Sequence, residues 1–297
     1  HVDSVSIAGK SLRYSVKLMR GAPGSNIRLK SMRTGVNDFD VSITRAIIKV
    51  EPVRWSLIGD IGYIRVSRFS EKLESGIVEA FNNLKNELGK EPSGFVLDLR
   101  NNPGGLLDQS INLVDSLIDD GEIVSIRGRN SNGVRSFHAT KGDLSNGAPL
   151  VVLINNGSAS ASEIVAGALK HNGRATILGV KSYGKGSVQT IIPLLGEGAL
   201  KVTTALYYGP DGKTIQARGV VPDIRLEPEK KLNITTEADL PKSMPAVGDE
   251  SQYSLNKVSV SKCRAVGKLN DRELGCALAF LERGQERFLA EHTADKH

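Results

Sequence analysis

The sequence predicts an α/β protein built on a mainly parallel sheet, and three observations carry that expectation. Two nearly continuous apolar runs, Gly94-Phe-Val-Leu-Asp-Leu99 and Leu150-Val-Val-Leu-Ile154, match strands buried on both faces. Helical patterns separate the strands, the clearest at Lys72–Leu88, where Leu73, Ile77, Ala80, Phe81 and Leu84 share one face. Strand and helix alternate through this stretch, as parallel connections require. Composition agrees: 39% hydrophobic and 24% charged residues, with 31 Gly and 11 Pro in 297 residues, are ordinary globular values. They exclude a disordered, collagen-like or coiled-coil chain. No window approaches ~18 consecutive apolar residues, so no membrane span is expected. His1-Val2-Asp3 starts no signal peptide.

The elements follow in order. A short helix, Leu12–Arg20, ends at Gly21-Ala22-Pro23-Gly24, and strands Asn26–Met32 and Phe39–Arg45 flank a turn at Thr34-Gly35. These three make too small a core to stand alone and look like the end of a domain that begins earlier. The α/β pattern then opens with strand Gly62–Val66 and helix Lys72–Leu88. It continues through strand Gly94–Leu99, helix Leu107–Ile118, strands Ile123–Ile126 and Leu150–Ile154, a helix near Ser160–Lys170 and strand Ala175–Val180. Strands Val188–Leu195 and Leu200–Tyr208 come next, then a turn at Gly209-Pro-Asp-Gly212 and a strand at Thr214–Ala217. Beyond Glu229 the composition turns polar: Leu232–Gln252 reads as a linker and Asp271–Glu291 as a final helix. The expected domains are therefore 1–46, 47–228 and 229–297.

The net charge of +6 is local. Residues 1–50 carry nine Lys or Arg against three Asp, and the rest of the chain carries 30 charges of each sign. No compact basic run occurs and aromatics are only 5%, which leaves little for base stacking, so nucleic acid is not an expected partner. Cys263 and Cys276 lack zinc-site spacing; the sequence allows either a disulfide in an oxidising compartment or two free thiols.

In open α/β sheets ligands bind where strands end and helices begin. Three segments occupy such places: Asp98-Leu-Arg-Asn-Asn-Pro-Gly-Gly105, Asn155-Asn-Gly-Ser-Ala-Ser-Ala-Ser-Glu163 and Gly179-Val-Lys-Ser-Tyr-Gly-Lys-Gly-Ser-Val-Gln189. A serine at a helix start has backbone N–H groups and the positive dipole end beside it, which suit an oxyanion. Ser160-Ala-Ser-Glu163 fits a capping box equally well. Pro103-Gly-Gly105 can expose backbone amides, because glycine adopts positive φ freely. Gly179-x4-Gly184-Lys185 begins like a phosphate loop. Gly186 stands where Ser or Thr should bind magnesium, however, and strand follows where a helix should, so nucleotide binding is rejected. A lysine between two glycines can instead project into a shared site, and burial there would lower its pKa toward that of a general base. A Ser–His triad finds no partner: His1, His292 and His297 lie at or near the termini, and His138 lies on a polar stretch. His171 sits about 16 Å along the helix from Ser160.

Together these segments resemble the C-terminal processing peptidases, also called tail-specific proteases. The resemblance rests on Asp98–Gly105, Gly157-Ser-Ala-Ser-Ala-Ser-Glu163, Tyr183-Gly-Lys-Gly-Ser-Val-Gln189 and the closing Gly209-Pro-Asp-Gly212 with Gly219-Val-Val-Pro-Asp223. It implies a crotonase/ClpP-like core carrying a Ser–Lys dyad: Ser160 as nucleophile, Lys185 as general base 25 residues on, and Gln189 orienting the lysine. The oxyanion hole would combine the Ala161 N–H with that of Gly104 or Gly105, and no metal or cofactor is needed. The first 46 residues resemble the second half of a PDZ domain, with Leu12–Arg20 lining a peptide groove and the carboxylate-binding loop missing. The implied partners are protein substrates captured by their C-terminal tails, an envelope adaptor protein and a second copy of the chain, in the periplasm or cell envelope. Two other readings stay open: a silent PDZ-type scaffold and a crotonase-like acyl-transfer enzyme acting on small thioesters.

Overall fold

The computed structural model describes residues 1–33, 35–47, 50–129, 133–194, 196, 198–228, 235–246 and 256–293. Two units divide the chain, His1–Val50 and Glu51–His297.

In the first unit, α1 (Leu12–Met19) starts at Ser11, whose hydroxyl accepts the Tyr14 N–H at 3.3 Å. β1 (Asn26–Arg33) and β2 (Val36–Thr44) form an antiparallel hairpin with Asn26 opposite Thr44. Thr34 of the expected turn lies outside the described residues. Arg45 ties hairpin to helix: its guanidinium donates to the Met19 carbonyl at 2.9 Å and the Ser25 hydroxyl at 3.0 Å. Gly21 makes room for it, since a Cβ there would meet Arg45 Nε at 2.8 Å.

The second unit is an α/β fold. Its seven-stranded sheet contains β3 (Val53–Ile58), β4 (Ile61–Val66), β5 (Gly94–Asp98), β8 (Leu150–Ile154), β9 (Thr176–Gly179), β12 (Ile224–Glu227) and β13 (Asn256–Ser259). The spatial order is β13-β12-β9-β8-β5-β4-β3, and every pair is parallel except the β3–β4 hairpin. A second, antiparallel sheet has the order β10-β11-β6-β7, from β6 (Glu122–Gly128), β7 (Arg135–His138), β10 (Ser187–Pro193) and β11 (Ala199–Tyr208). Leu195, the expected end of the strand at β10, lies outside the described residues.

Alternation along the central strands sends side chains to two cores. Leu97, Val152 and Ile154 pack with α2 (Leu73–Leu88), α3 (Leu107–Asp115) and α4 (Ala161–His171). Val96, Val151 and Leu153 pack on the opposite face with Leu274, Ala277, Phe280 and Phe288. Those last four belong to α5 (Arg272–Arg283) and α6 (Gln285–His292).

This second layer corrects the expectation of a linker and tail over 229–297. A parallel sheet must be covered on both faces, and with α2–α4 on one side the segment 256–293 supplies the other. It also adds strand β13 beside β12. Most of the expected linker (229–234 and 247–255) lies outside the described residues. The expected final helix is two helices, because Gly284 at φ 75° breaks it. Thr214–Ala217 is not a strand: only a single bridge joins Thr214 to Tyr208. Cys263 and Cys276 form a disulfide, with Cα atoms 5.1 Å apart.

Leu153 lies fully buried between neighbouring strands. Leu153→Ala is expected to lower stability by about 3 kcal/mol, read as a lower urea midpoint with unchanged slope.

Candidate active site

The three sequence segments converge at the ends of β5, β8 and β9. The chain leaving β8 is laced to the chain leaving β5. The Asn155 side chain accepts the Asn101 N–H at 2.8 Å, and the Ser158 hydroxyl donates to the Leu99 carbonyl at 2.8 Å. The Ser162 hydroxyl donates to the Asn102 carbonyl at 2.9 Å, and the Ala159 N–H reaches the same carbonyl at 3.0 Å.

These bonds distinguish the three serines of this segment, Ser158, Ser160 and Ser162. Ser158 and Ser162 are fully buried and their hydroxyls are committed to structure. Ser160, half-buried between them, sits at φ 56°, ψ −113°, a conformation rare for a residue with a Cβ. Such strain costs about 1–3 kcal/mol and persists only where surroundings impose it. The turn has the outline of a capping box with Glu163, yet the Ser160 hydroxyl makes no cap hydrogen bond. The Glu163 N–H, which a capping serine would bind, donates at 2.8 Å to the Ser160 backbone carbonyl instead.

Gly104 brings the neighbouring loop against this turn. A Cβ on Gly104, at φ 94°, would stand 2.9 Å from Ser160 Cβ and 3.0 Å from the Ala161 nitrogen. The Gly104 N–H is occupied, donating to Asn102 Oδ1 at 2.9 Å. The N–H groups of Gly105 and Ala161 have no hydrogen-bond acceptor among the described residues. Of the two glycines, Gly105 therefore has the open amide.

The lysine segment is fixed by Glu163, whose side chain has 0% exposure. Glu163 Oε2 accepts the Ser160 N–H at 2.8 Å and the Lys185 N–H at 2.9 Å. Oε1 accepts the Ser182 hydroxyl and the Gly184 N–H, each at 2.6 Å. One carboxylate thus holds the backbone of the serine turn and that of the lysine loop. Burial pushes its pKa above the ordinary value, against the lowering effect of these four bonds.

Lys185 itself is half-buried. The next residue, Gly186, donates its N–H to Gln216 Oε1 at 3.1 Å, and a Cβ on Gly186 would meet the Gln216 nitrogen at 2.4 Å. Gln189 lies further along, exposed on β10 opposite Thr203, and no hydrogen bond joins it to Lys185 among the described residues. The glutamine bound to the lysine loop is the buried Gln216. Sequence reading missed it by placing it on a strand. Glu163 was legible only as a capping residue, although its position three residues after Ser160 is what lets it reach back. His171 is at the other end of α4, its Nε2 3.4 Å from Asp211.

A half-buried serine at a strained helix start, two open amides and a lysine loop held to it by one carboxylate thus meet at one end of the α/β sheet. The chain belongs to peptidase family S41, whose sequence model matches residues 60–226. Within that family it is similar to proteins named for processing carboxy termini. It is 51% identical to the carboxy-terminal-processing protease of Bartonella bacilliformis, over 77% of this chain and 54% of that protein. It is 34% identical to the carboxy-terminal processing protease CtpA of Bacillus subtilis, over 76% of this chain and 48% of the relative. Its fold is similar to that of the photosystem II D1 C-terminal processing protease, with a TM-score of 0.56 and 33% identity, over 76% of this chain and 62% of that one. The chain spans about half the length of the curated relatives it matches.

Glu163→Gln turns an amide donor toward backbone donors and is expected to cost about 3 kcal/mol of stability. A second expectation concerns pH. With its folded pKa raised above the ordinary 4.5, Glu163 stabilises the fold most fully below that value. That contribution is lost as pH rises through the raised value. Urea midpoints of the unsubstituted chain should therefore fall relative to Glu163→Gln as pH rises from about 4.5; the opposite slope would contradict the assignment.

Proposed function

We propose that this chain carries the catalytic core of a serine endopeptidase that cleaves protein substrates near their C-termini. Ser160 Oγ attacks the scissile carbonyl while the Lys185 amine takes its proton. The lysine then protonates the leaving amine, and water hydrolyses the acyl-enzyme along the same route. The open amides of Ala161 and Gly105 hold the oxyanion, with Gly104 supplying the close approach. The observation that carries this reading is the Glu163 carboxylate, which accepts both the Ser160 N–H and the Lys185 N–H. Gln189 acts from the strand that leaves the lysine loop, steadying the amine once substrate is bound.

The substrate class is read from the names of the similar proteins, which are carboxy-terminal-processing proteases. Residues 1–46 serve as the second half of a PDZ-type module that receives the substrate tail, and the core is of the crotonase/ClpP-like type. The Cys263–Cys276 disulfide supports an oxidising compartment, in keeping with the periplasm or cell envelope.

Ser160→Ala and Lys185→Ala are each expected to lower the rate of cleavage of an unfolded protein by about a thousandfold or more. EDTA should leave cleavage unchanged. Cleavage that survives both substitutions would overturn the proposal. Esterase turnover of small thioesters without protein cleavage would assign the site to acyl transfer.

A further inference from the structure

The loop that carries the Gly105 amide is gripped from the far side of the sheet. Arg100 stands four residues before Gly104 and is 7% exposed. Its guanidinium bonds Asp98 twice, Nε to Oδ1 at 3.0 Å and Nη2 to Oδ2 at 2.7 Å. Asp98 is itself fully buried, and its Oδ2 also accepts the Tyr63 hydroxyl at 2.8 Å and Arg65 Nη1 at 2.7 Å. Asp98 is thus shared between two arginines, Arg65 and Arg100. Two more carboxylates reach Arg100 from the start of α5. Asp271 accepts Nη1 at 3.0 Å and Nη2 at 2.7 Å, and Glu273 accepts Nη1 at 2.7 Å.

Both acids stand inside the loop closed by the Cys263–Cys276 disulfide. Asp271 is further pinned there: its N–H donates to the Val266 carbonyl at 2.9 Å, and its carbonyl accepts the Val266 N–H at 3.2 Å. A Cβ on Gly275 would stand 1.9 Å from the Arg264 carbonyl oxygen, so the two sides of the loop touch. Beyond Arg100 the path to the site is short and bonded throughout. The Asn101 N–H goes to Asn155, and the Asn102 side chain joins the Val66 carbonyl to the Gly104 N–H at 2.9 Å each.

We propose that Asp271 and Glu273 are positioning residues for the reaction: by gripping Arg100 they set the oxyanion loop, and the Gly105 amide with it, against Ser160. The inference rests on the Ser160 reading above and adds to it a part of the chain outside residues 60–226, the segment that the family match spans. A purely structural ion network would hold up the fold and leave the reactivity of Ser160 untouched. A positioning grip must change that reactivity in a folded protein.

The test is the rate at which a fluorophosphonate labels Ser160 in the full chain, read with kcat and KM on casein. Labelling forms an Oγ–P bond, expels fluoride and passes the hydroxyl proton to Lys185, so it needs the oxyanion site but no docked tail. The double variant Asp271→Asn with Glu273→Gln keeps shape and helix cap while removing both charges. It should label about tenfold more slowly and lose kcat in parallel, with KM unchanged. Glu273→Asp should recover most of what Glu273→Gln alone loses. Glu282→Gln, which removes only the surface partner of Arg264, should change nothing.

Wild-type labelling rates in a folded double variant would overturn the proposal, as would a lower melting temperature with unchanged labelling. Should the double variant fail to fold, Cys263→Ser with Cys276→Ser opens the loop with every carboxylate in place. It should slow labelling by a smaller factor, and an unchanged rate would overturn the proposal. Failure of the underlying reading is distinct: Ser160 of the unsubstituted chain would not be labelled at all, and the grip would fall with it.

Discussion

The Glu163 carboxylate is the interaction on which the site depends. Four neutral donors from two segments surround it. A buried carboxylate is costly unless its lone pairs are filled. Filling them requires that the turn before α4 and the loop after β9 adopt compatible backbones at once. The carboxylate therefore acts as a template. If either segment moves, it is left with unpaired oxygens in a dry place, and that penalty holds the rare backbone of Ser160 in being. Backbone strain is sustained when the surroundings over-determine it, and here they do so through one side chain.

The sheet imposes a second constraint. Its central strands are apolar on both faces, so the fold is complete only when both are covered. α2, α3 and α4 cover one face and bring Ser160 with them. The other is covered by residues 256–293, whose sequence alone suggested a separate helical tail. The covering layer is joined to the chemistry-bearing side by charge, through Arg100 at the end of β5. A buried arginine shared among several carboxylates gives little net stability but great directional specificity. Its fork fixes where the following residues can go.

Much of this was legible in the sequence, and what was not had physical causes. Buried strands such as Leu150–Ile154 and amphipathic helices such as Leu73–Leu88 announce themselves through periodicity. Short elements do not. β12 and β13 span four residues each, too few to establish a pattern; β12 is a strand because β9 offers an edge beside it, and β13 because β12 does. The helix break at Gly284 was hidden by a polar pattern that continues through it. Within the site, the serine segment, Lys185 and the glycines stood out by residue type and spacing, while the family resemblance picked out Ser160 and Ala161. Glu163 looked like a cap because its partners at Ser182 and Gly184 come from a loop about twenty residues away. Gln216 gave no signal at all, since binding the Gly186 amide needs only a buried acceptor and any local pattern will do.

The same reasoning explains why three serines in one short segment have different fates. Ser158 and Ser162 flank Ser160 and face the loop after β5, where each hydroxyl adds a second donor to a carbonyl that already accepts a backbone N–H, Leu99 from Asn102 and Asn102 from Ala159. A carbonyl oxygen has two lone pairs, so both donors are accommodated. Ser160 faces the other way because its inverted backbone turns Cβ toward Gly104, where the absence of a side chain leaves space. Position in the turn, and not intrinsic chemistry, frees one hydroxyl and occupies two. The occupied pair then serves the free one, since each bond they make locks the loop whose Gly105 amide lies open beside it. The three serines are thus parts of a single arrangement.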